Sequence, residues 1–166
     1  MKLRLVLAPI LTALLVTLTG GPSHADVFGW RWDTRTQPIR VYDATGDARW
    51  GVALAAQQWS AAAPIVVSAT PCTGCITVTV SSTLPYAGLA QWTVTNGVAT
   101  NCSVTLSKYH AAYPWAHHIA LHEMGHCFGL AHSSRPKSVM YPTVSSSSYL
   151  TKPSGWDLSE LRGLYR

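Results

Sequence analysis

Residues 122–132 read HEMGHCFGLAH, with three histidines and a glutamate in one short run. His122 and His126 are four apart, so on a helix both rings lie on one face about one turn apart, as two ligands of one ion require. Glu123 is offset by about 100° and stays near that face, where it could hold a water instead of binding metal. Gly129 is free to adopt the left-handed backbone that ends a helix, which lets His132 swing back as a third ligand. Three neutral imidazoles leave a fourth tetrahedral position open for water, the mark of a catalytic zinc site and not a structural one. His118 extends the histidine ladder at 118, 122 and 126, but eight residues of helix rise about 12 Å, beyond the reach of one ion. It reads as a pocket or surface residue, and His110 and His117 read as surface residues.

HExxH alone arises by chance in roughly one chain in several hundred, and Gly129 with His132 lowers that by about three orders of magnitude. Eight residues after His132 stands Met140 in SVMYP, a Met-turn candidate. HExxHxxGxxH followed by a Met-turn is the metzincin signature, and HEMGHCFGLAHS with SVMYP resembles the matrixin branch of that clan. WRWD, VALAAQQWSAAA, AGLAQW and WDLSELRGLY also resemble that catalytic domain, so the likeness runs over nearly all of 28–166.

The resemblance implies that His122, His126 and His132 hold one catalytic Zn2+, that Glu123 is the general base and proton shuttle, and that Met140 floors the site. It implies a peptide lying antiparallel to an edge strand around Leu89 and Ala90, with a pocket walled by His118, Ile119 and the stretch Pro142 to Val144. The expected activity is that of a zinc endopeptidase cutting before bulky apolar residues. The zinc would polarise the scissile carbonyl and lower the pKa of its water toward about 7, and Glu123 would take the proton. Tyr141 directly follows Met140, as in matrixins, and is not assigned to the metal. Two other readings stay open: a non-catalytic zinc-binding recognition module, against which Glu123 weighs, and an amidase acting on a non-protein amide.

The chain departs from the family in places. No propeptide or cysteine-bearing latency segment precedes the domain, so an enzyme made without that zymogen form is expected. Positions 83–99 hold no histidine or acid to replace the family's structural zinc and calcium loop. Trp156-Asp157 stands where matrixins have two aspartates. Asp157 is expected to brace the Met-turn, and the partner for a freed N-terminal amine is missing.

The chain opens MKLRLVLAPILTALLVTLTGGPSHA, with basic Lys2 and Arg4, an apolar run Leu5–Leu18 and small residues before a cut after Ala25. That is a secretory signal peptide, and its run is shorter than the roughly 20 residues a membrane anchor needs. The expected organisation is therefore a signal peptide, 1–25, and one catalytic domain, 26–166, secreted, without a membrane anchor and monomeric. Loss of Lys2 and Arg4 lowers the formal charge from +5 to +3, and no basic run remains, so nucleic acid is not an expected partner. The few acids are dispersed, so calcium is not an expected cofactor; protein or peptide substrate is the expected partner.

In an oxidising compartment Cys72, Cys75, Cys102 and Cys127 read as two disulfides, with three pairings open. A redox CxxC belongs at a helix N-terminus, whereas Cys75 opens a strand, so Cys72–Cys75 is the expected disulfide. That leaves Cys102 with Cys127, which a strand packed on a helix permits if their Cα atoms come within about 7 Å. Cys127 points about 100° away from the ligand face and is badly placed to bind the same metal.

Period-two alternation predicts strands at 38–45, 65–69, 75–82, 87–97 and 102–109, the last two joined at Asn96-Gly97. Helices are expected from about 47 to 62, from Pro114 to Gly129, and over the C-terminal SGWDLSELRGLYR, capped by Ser154 or Asp157. With the resemblance, the expected fold is α+β: a metzincin-type zincin domain whose mixed, mostly parallel sheet carries three helices and an antiparallel edge strand.

Overall fold

The computed structural model describes residues 26–166, and the expected signal peptide, 1–25, lies outside them. Five strands form one sheet: β1 (Ile39–Asp43), β2 (Ile65–Ser68), β3 (Ile76–Ser81), β4 (Gly88–Thr95) and β5 (Val98–Ser107). Their order across the sheet is β2-β1-β3-β5-β4. β1 runs parallel to β2 and β3, and β3 parallel to β5. β4 alone runs antiparallel, folded back on β5 through Asn96 and Gly97, whose φ angles of 51° and 76° suit a tight hairpin turn. The return strand begins at Val98, so Cys102 lies in mid-strand, opposite Ile76 on one side and Trp92 on the other.

Alternate residues of the inner strands, Ile39, Val41, Ile76, Val78, Val104 and Leu106, are at most 2 % exposed. Against them pack α1 (Val52–Trp59) and α2 (Ala116–Cys127). α2 buries Ile119, Ala120, Leu121 and Met124, and Trp59 donates its indole N–H to Leu121 O at 3.2 Å. That bond satisfies a donor that burial would otherwise strand. α3 (Gly155–Leu164) buries Leu161 and starts at a capping box, in which Ser154 and Asp157 bond reciprocally.

The first helix departs from expectation. A continuous helix from 47 to 62 is broken at Gly51, which takes φ 59° and divides a 3-10 turn, Ala48–Trp50, from α1. A tertiary contact sits at the break. A β-carbon at 51 would stand 2.6 Å from Nδ1 of His117, which sits on α2 and bonds Trp50 O at 3.1 Å. His117 also meets Gln58 Oε1 at 3.2 Å, so it is half-buried and ties α2 to α1 instead of lying free on the surface. His110 is likewise half-buried, its ring centroid 5.7 Å from that of Tyr113.

The start of the described chain forms a strap across the end of α2. Gly129 ends that helix with φ 101°, and a β-carbon there would stand 2.7 Å from Trp30 O. Val27 pairs antiparallel with Leu130, and Phe28 N–H donates to Gly129 O at 2.9 Å. Trp32 is buried and donates its indole N–H to Cys127 O at 2.7 Å. Two disulfides are present, Cys72–Cys75 and Cys102–Cys127; the second joins β5 to α2 with 5.7 Å between Cα atoms. Among the described residues no cysteine is free, and no helix is long and apolar enough to cross a membrane.

Candidate metal centre and cleft

One helical turn brings His122 and His126 together, with ring centroids 4.7 Å apart. The chain reversal at Gly129 returns His132 to 5.2 Å from His122 and 4.9 Å from His126. A ligand atom from each of the three lies within 4.8 Å of the others. His122 Nδ1 lies 2.8 Å from Val139 O, and His126 Nδ1 lies 2.8 Å from Leu130 O. A carbonyl only accepts, so each Nδ1 carries the proton, and each Nε2 keeps its lone pair for an ion. Burial pushes His122 down to about 3 and His126 to about 4, which keeps both rings neutral near pH 7. Neutral nitrogen donors in a compact triangle with one open side fit a tetrahedral divalent metal such as zinc.

Glu123 stands beside this triangle. Burial lifts its carboxyl to about 7, while the Ala90 N–H bonded to it pulls the other way. Ala90 belongs to β4, so the edge strand fixes the carboxyl from across the cleft.

Met140 is 1 % exposed and packs against Gly125 on α2, where any β-carbon would collide with its sulfur. The turn carrying Met140 is fixed by Asp157, itself 2 % exposed, which accepts from the Ser138 hydroxyl and from Val139 N–H at 3.0 Å. Asp157 thus links the cap of α3 to the backbone carbonyl that orients His122.

A cleft of about 550 Å³ opens over the three histidines and Glu123. Leu89, Ala90, His118, Ile119, Pro142 and Val144 all line it. His118 is 3 % exposed and accepts from Leu150 N–H at 2.9 Å. Its ring stands 6.4 Å from that of His122 and outside the triangle. Phe28, Tyr86 and Trp92 also line the cleft; of these only Trp92 lay in a stretch the sequence singled out, AGLAQW. Phe28 and Trp92 stack with ring centroids 4.7 Å apart, and Phe28 lies 5.7 Å from His126. Both are large aromatics that the structure leaves partly exposed, at 39 % and 37 %.

Known proteins are similar to this chain. Residues 46–166 match the family model of the M10 peptidases, the matrixins. A stretch of 48 residues is 50 % identical to matrilysin of Felis catus, covering 28 % of this chain and 18 % of that protein. Twenty-five residues are 64 % identical to macrophage metalloelastase of Rattus norvegicus, covering 15 % of this chain and 5 % of that protein. The chain is also 44 % identical over 48 residues to probable matrix metalloproteinase 095L of Invertebrate iridescent virus 3, covering 29 % and 13 %. The chain thus aligns with less than a fifth of the length of these relatives. The family match, by contrast, takes in α1, the whole sheet except β1, the three histidines, the Met-turn and α3, on a mixed sheet of metzincin type. On that extent of agreement, the chain belongs to the matrixin family.

Proposed function

We propose that the protein is a zinc-dependent endopeptidase. The observation that carries this reading is the pairing of three imidazoles, two with their tautomers set by backbone carbonyls, with a buried carboxyl on the adjacent residue. A site built only to hold metal gains nothing from burying an acid there, since the desolvation is costly.

His122, His126 and His132 would hold the zinc, which when bound supplies Lewis acidity to a scissile carbonyl and to the attacking water. The remaining work falls to the chain. Glu123 accepts the water proton and returns it to the leaving amine; a carboxyl lifted to about 7 is tuned for both transfers near neutral pH. Ala90 N–H holds that carboxyl in orientation. The outer side of β4, unpaired at the sheet edge, offers main-chain groups to an extended peptide running antiparallel to it. The pocket between His118, Ile119 and Pro142–Val144 receives the side chain following the cut, and its apolar lining favours bulky apolar residues there. Met140 supports the site from below. The opening 25 residues and the two disulfides support export to an oxidising compartment.

The test is digestion of a peptide library by zinc-loaded protein and by Glu123→Ala. Cleavage by the first and not the second, enriched before bulky apolar residues, is expected. A flat profile after the cut refutes the pocket assignment. Zinc uptake with no cleavage of any peptide refutes the endopeptidase and leaves a binding module or an amidase acting on a non-protein amide.

A further inference from the structure

His132 differs from the other two histidines of the triangle. His122 and His126 each have a ring nitrogen anchored 2.8 Å from a carbonyl. The His132 ring is exposed, and among the described residues nothing hydrogen-bonds to it. Its position must therefore come from the backbone on either side: both neighbours are tied to Asp26, and Ser133 N–H also donates to Met140 O at 2.9 Å. Ala131 N–H donates to the Asp26 carbonyl at 2.8 Å. The Ser133 hydroxyl donates to Asp26 Oδ2 at 2.6 Å. The same oxygen accepts from the Trp156 indole at 3.2 Å, and the Arg135 guanidinium lies 3.9 Å from it and 3.5 Å above the Trp156 ring. The adjoining pairs Val27–Leu130 and Phe28–Gly129 continue the seam.

We infer that Asp26 is a positioning residue that holds His132 in the metal triangle by bracing Ala131 and Ser133 together. The inference rests on the zinc reading above and extends it to a residue about a hundred positions away in sequence. Second-layer partners of metal ligands commonly control affinity by about 10–100-fold. Here the control acts through the ligand's flanking backbone, because the ring has no partner of its own. The carboxylate oxygen is used as an acceptor by two donors, a role that an amide oxygen can also fill.

The experiment compares purified protein with Asp26→Ala, Asp26→Asn and Ser133→Ala. Zinc transfer to a chelator is followed for each, as is the absorption spectrum of the cobalt-loaded form. The unfolding midpoint of the metal-free form is measured alongside. Asp26→Ala is expected to release zinc about 10–100-fold faster with a changed cobalt spectrum. Asp26→Asn should restore both, and Ser133→Ala should fall between. Zinc release and cobalt spectrum unchanged in Asp26→Ala overturn the inference. So does faster release in Ser133→Ala and Asp26→Ala matched only by loss of metal-free stability, with an unaltered cobalt spectrum. Failure of the unaltered protein to take up zinc overturns the proposed function itself, and this inference with it.

Discussion

Gly88 and Glu123 face each other so closely that a β-carbon at 88 would stand 2.5 Å from Cγ of the glutamate and 2.7 Å from its Oε1. The edge strand thus approaches the acid with no side chain between them. Gly88→Ala should push the carboxyl from its place while leaving the three histidines untouched. The expected result is a fall in kcat/KM of about 100-fold, the scale of an ångström-sized misplacement of a reacting group. Zinc content and unfolding midpoint should stay near those of the unaltered protein. Full activity in Gly88→Ala would show that Glu123 tolerates displacement.

Asp157 is the next point of leverage. Its carboxylate serves the Ser138 hydroxyl, Val139 N–H at 3.0 Å and Ser154 N–H at 2.7 Å, all from a nearly closed site. Asp157→Ala strands these donors together. A loss of at least about 3 kcal/mol in urea unfolding is expected, since each unsatisfied buried group costs roughly 1–3 kcal/mol. Zinc should also be held less tightly, because Val139 O orients His122. A change under about 1 kcal/mol would show that water or relaxation replaces the carboxylate.

The two disulfides should differ in weight. Cys102–Cys127 spans 25 residues and Cys72–Cys75 only three. Loop-closure entropy assigns about 3 kcal/mol to the first and roughly half that to the second. The double variants Cys102→Ala/Cys127→Ala and Cys72→Ala/Cys75→Ala, compared in chemical denaturation, should rank in that order. The reverse ranking would mean that β5 holds α2 without its covalent tie. Thiol titration of unfolded, unreduced protein should find no free thiol.

Acid should weaken the metal-free protein below pH 6.5. Burial lowers His118, His122 and His126 from 6.5, the latter two to about 3 and 4. Above pH 6.5 neither the folded nor the unfolded chain protonates them. As pH falls through 6.5 the unfolded chain takes up protons that the folded one refuses, so stability drops. Glu123, raised from 4.5 to about 7, works against this: its folded carboxyl gains a proton first, which adds stability between pH 7 and 4.5. Glu123→Gln should therefore steepen the fall between pH 6 and 5 by about one proton, roughly 1.4 kcal/mol per pH unit. Urea midpoints across that range decide it, and parallel slopes for the two proteins would rule the opposition out.

What could be read from the sequence was local in origin. The i, i+4 histidines, the glycine stop at 129 and the alternation in IRVYD and ITVTVS follow from helix and strand periods, and they placed α2, β1 and β3 correctly. The capping pair Ser154 and Asp157 is equally local. Where the reading failed, the cause lay far along the chain. An alanine-rich run with one glycine reads as a single helix; Gly51 takes φ 59° with the ring of the distant His117 packed against it, and the helix is broken there. Phe28 and Trp92 meet at the cleft from places 64 residues apart, with no period to announce them. His117 looked like a solvent-facing histidine because its partners, Trp50 and Gln58, lie 67 and 59 residues away and are brought in by tertiary packing.

The strap at Asp26 also sets an order of events during synthesis. Its hydrogen bond to Ser133 closes a loop of 107 residues, and its bond to Trp156 one of 130. Neither can form on a growing chain until the residue it reaches, Ser133 or Trp156, has been made. The strap at the start of the domain must wait for the segments after α2, and His132 gains its brace only once they are in place. A chain stopped before Ser133 would carry the HEMGH helix yet lack the contact through which Asp26 braces the third histidine.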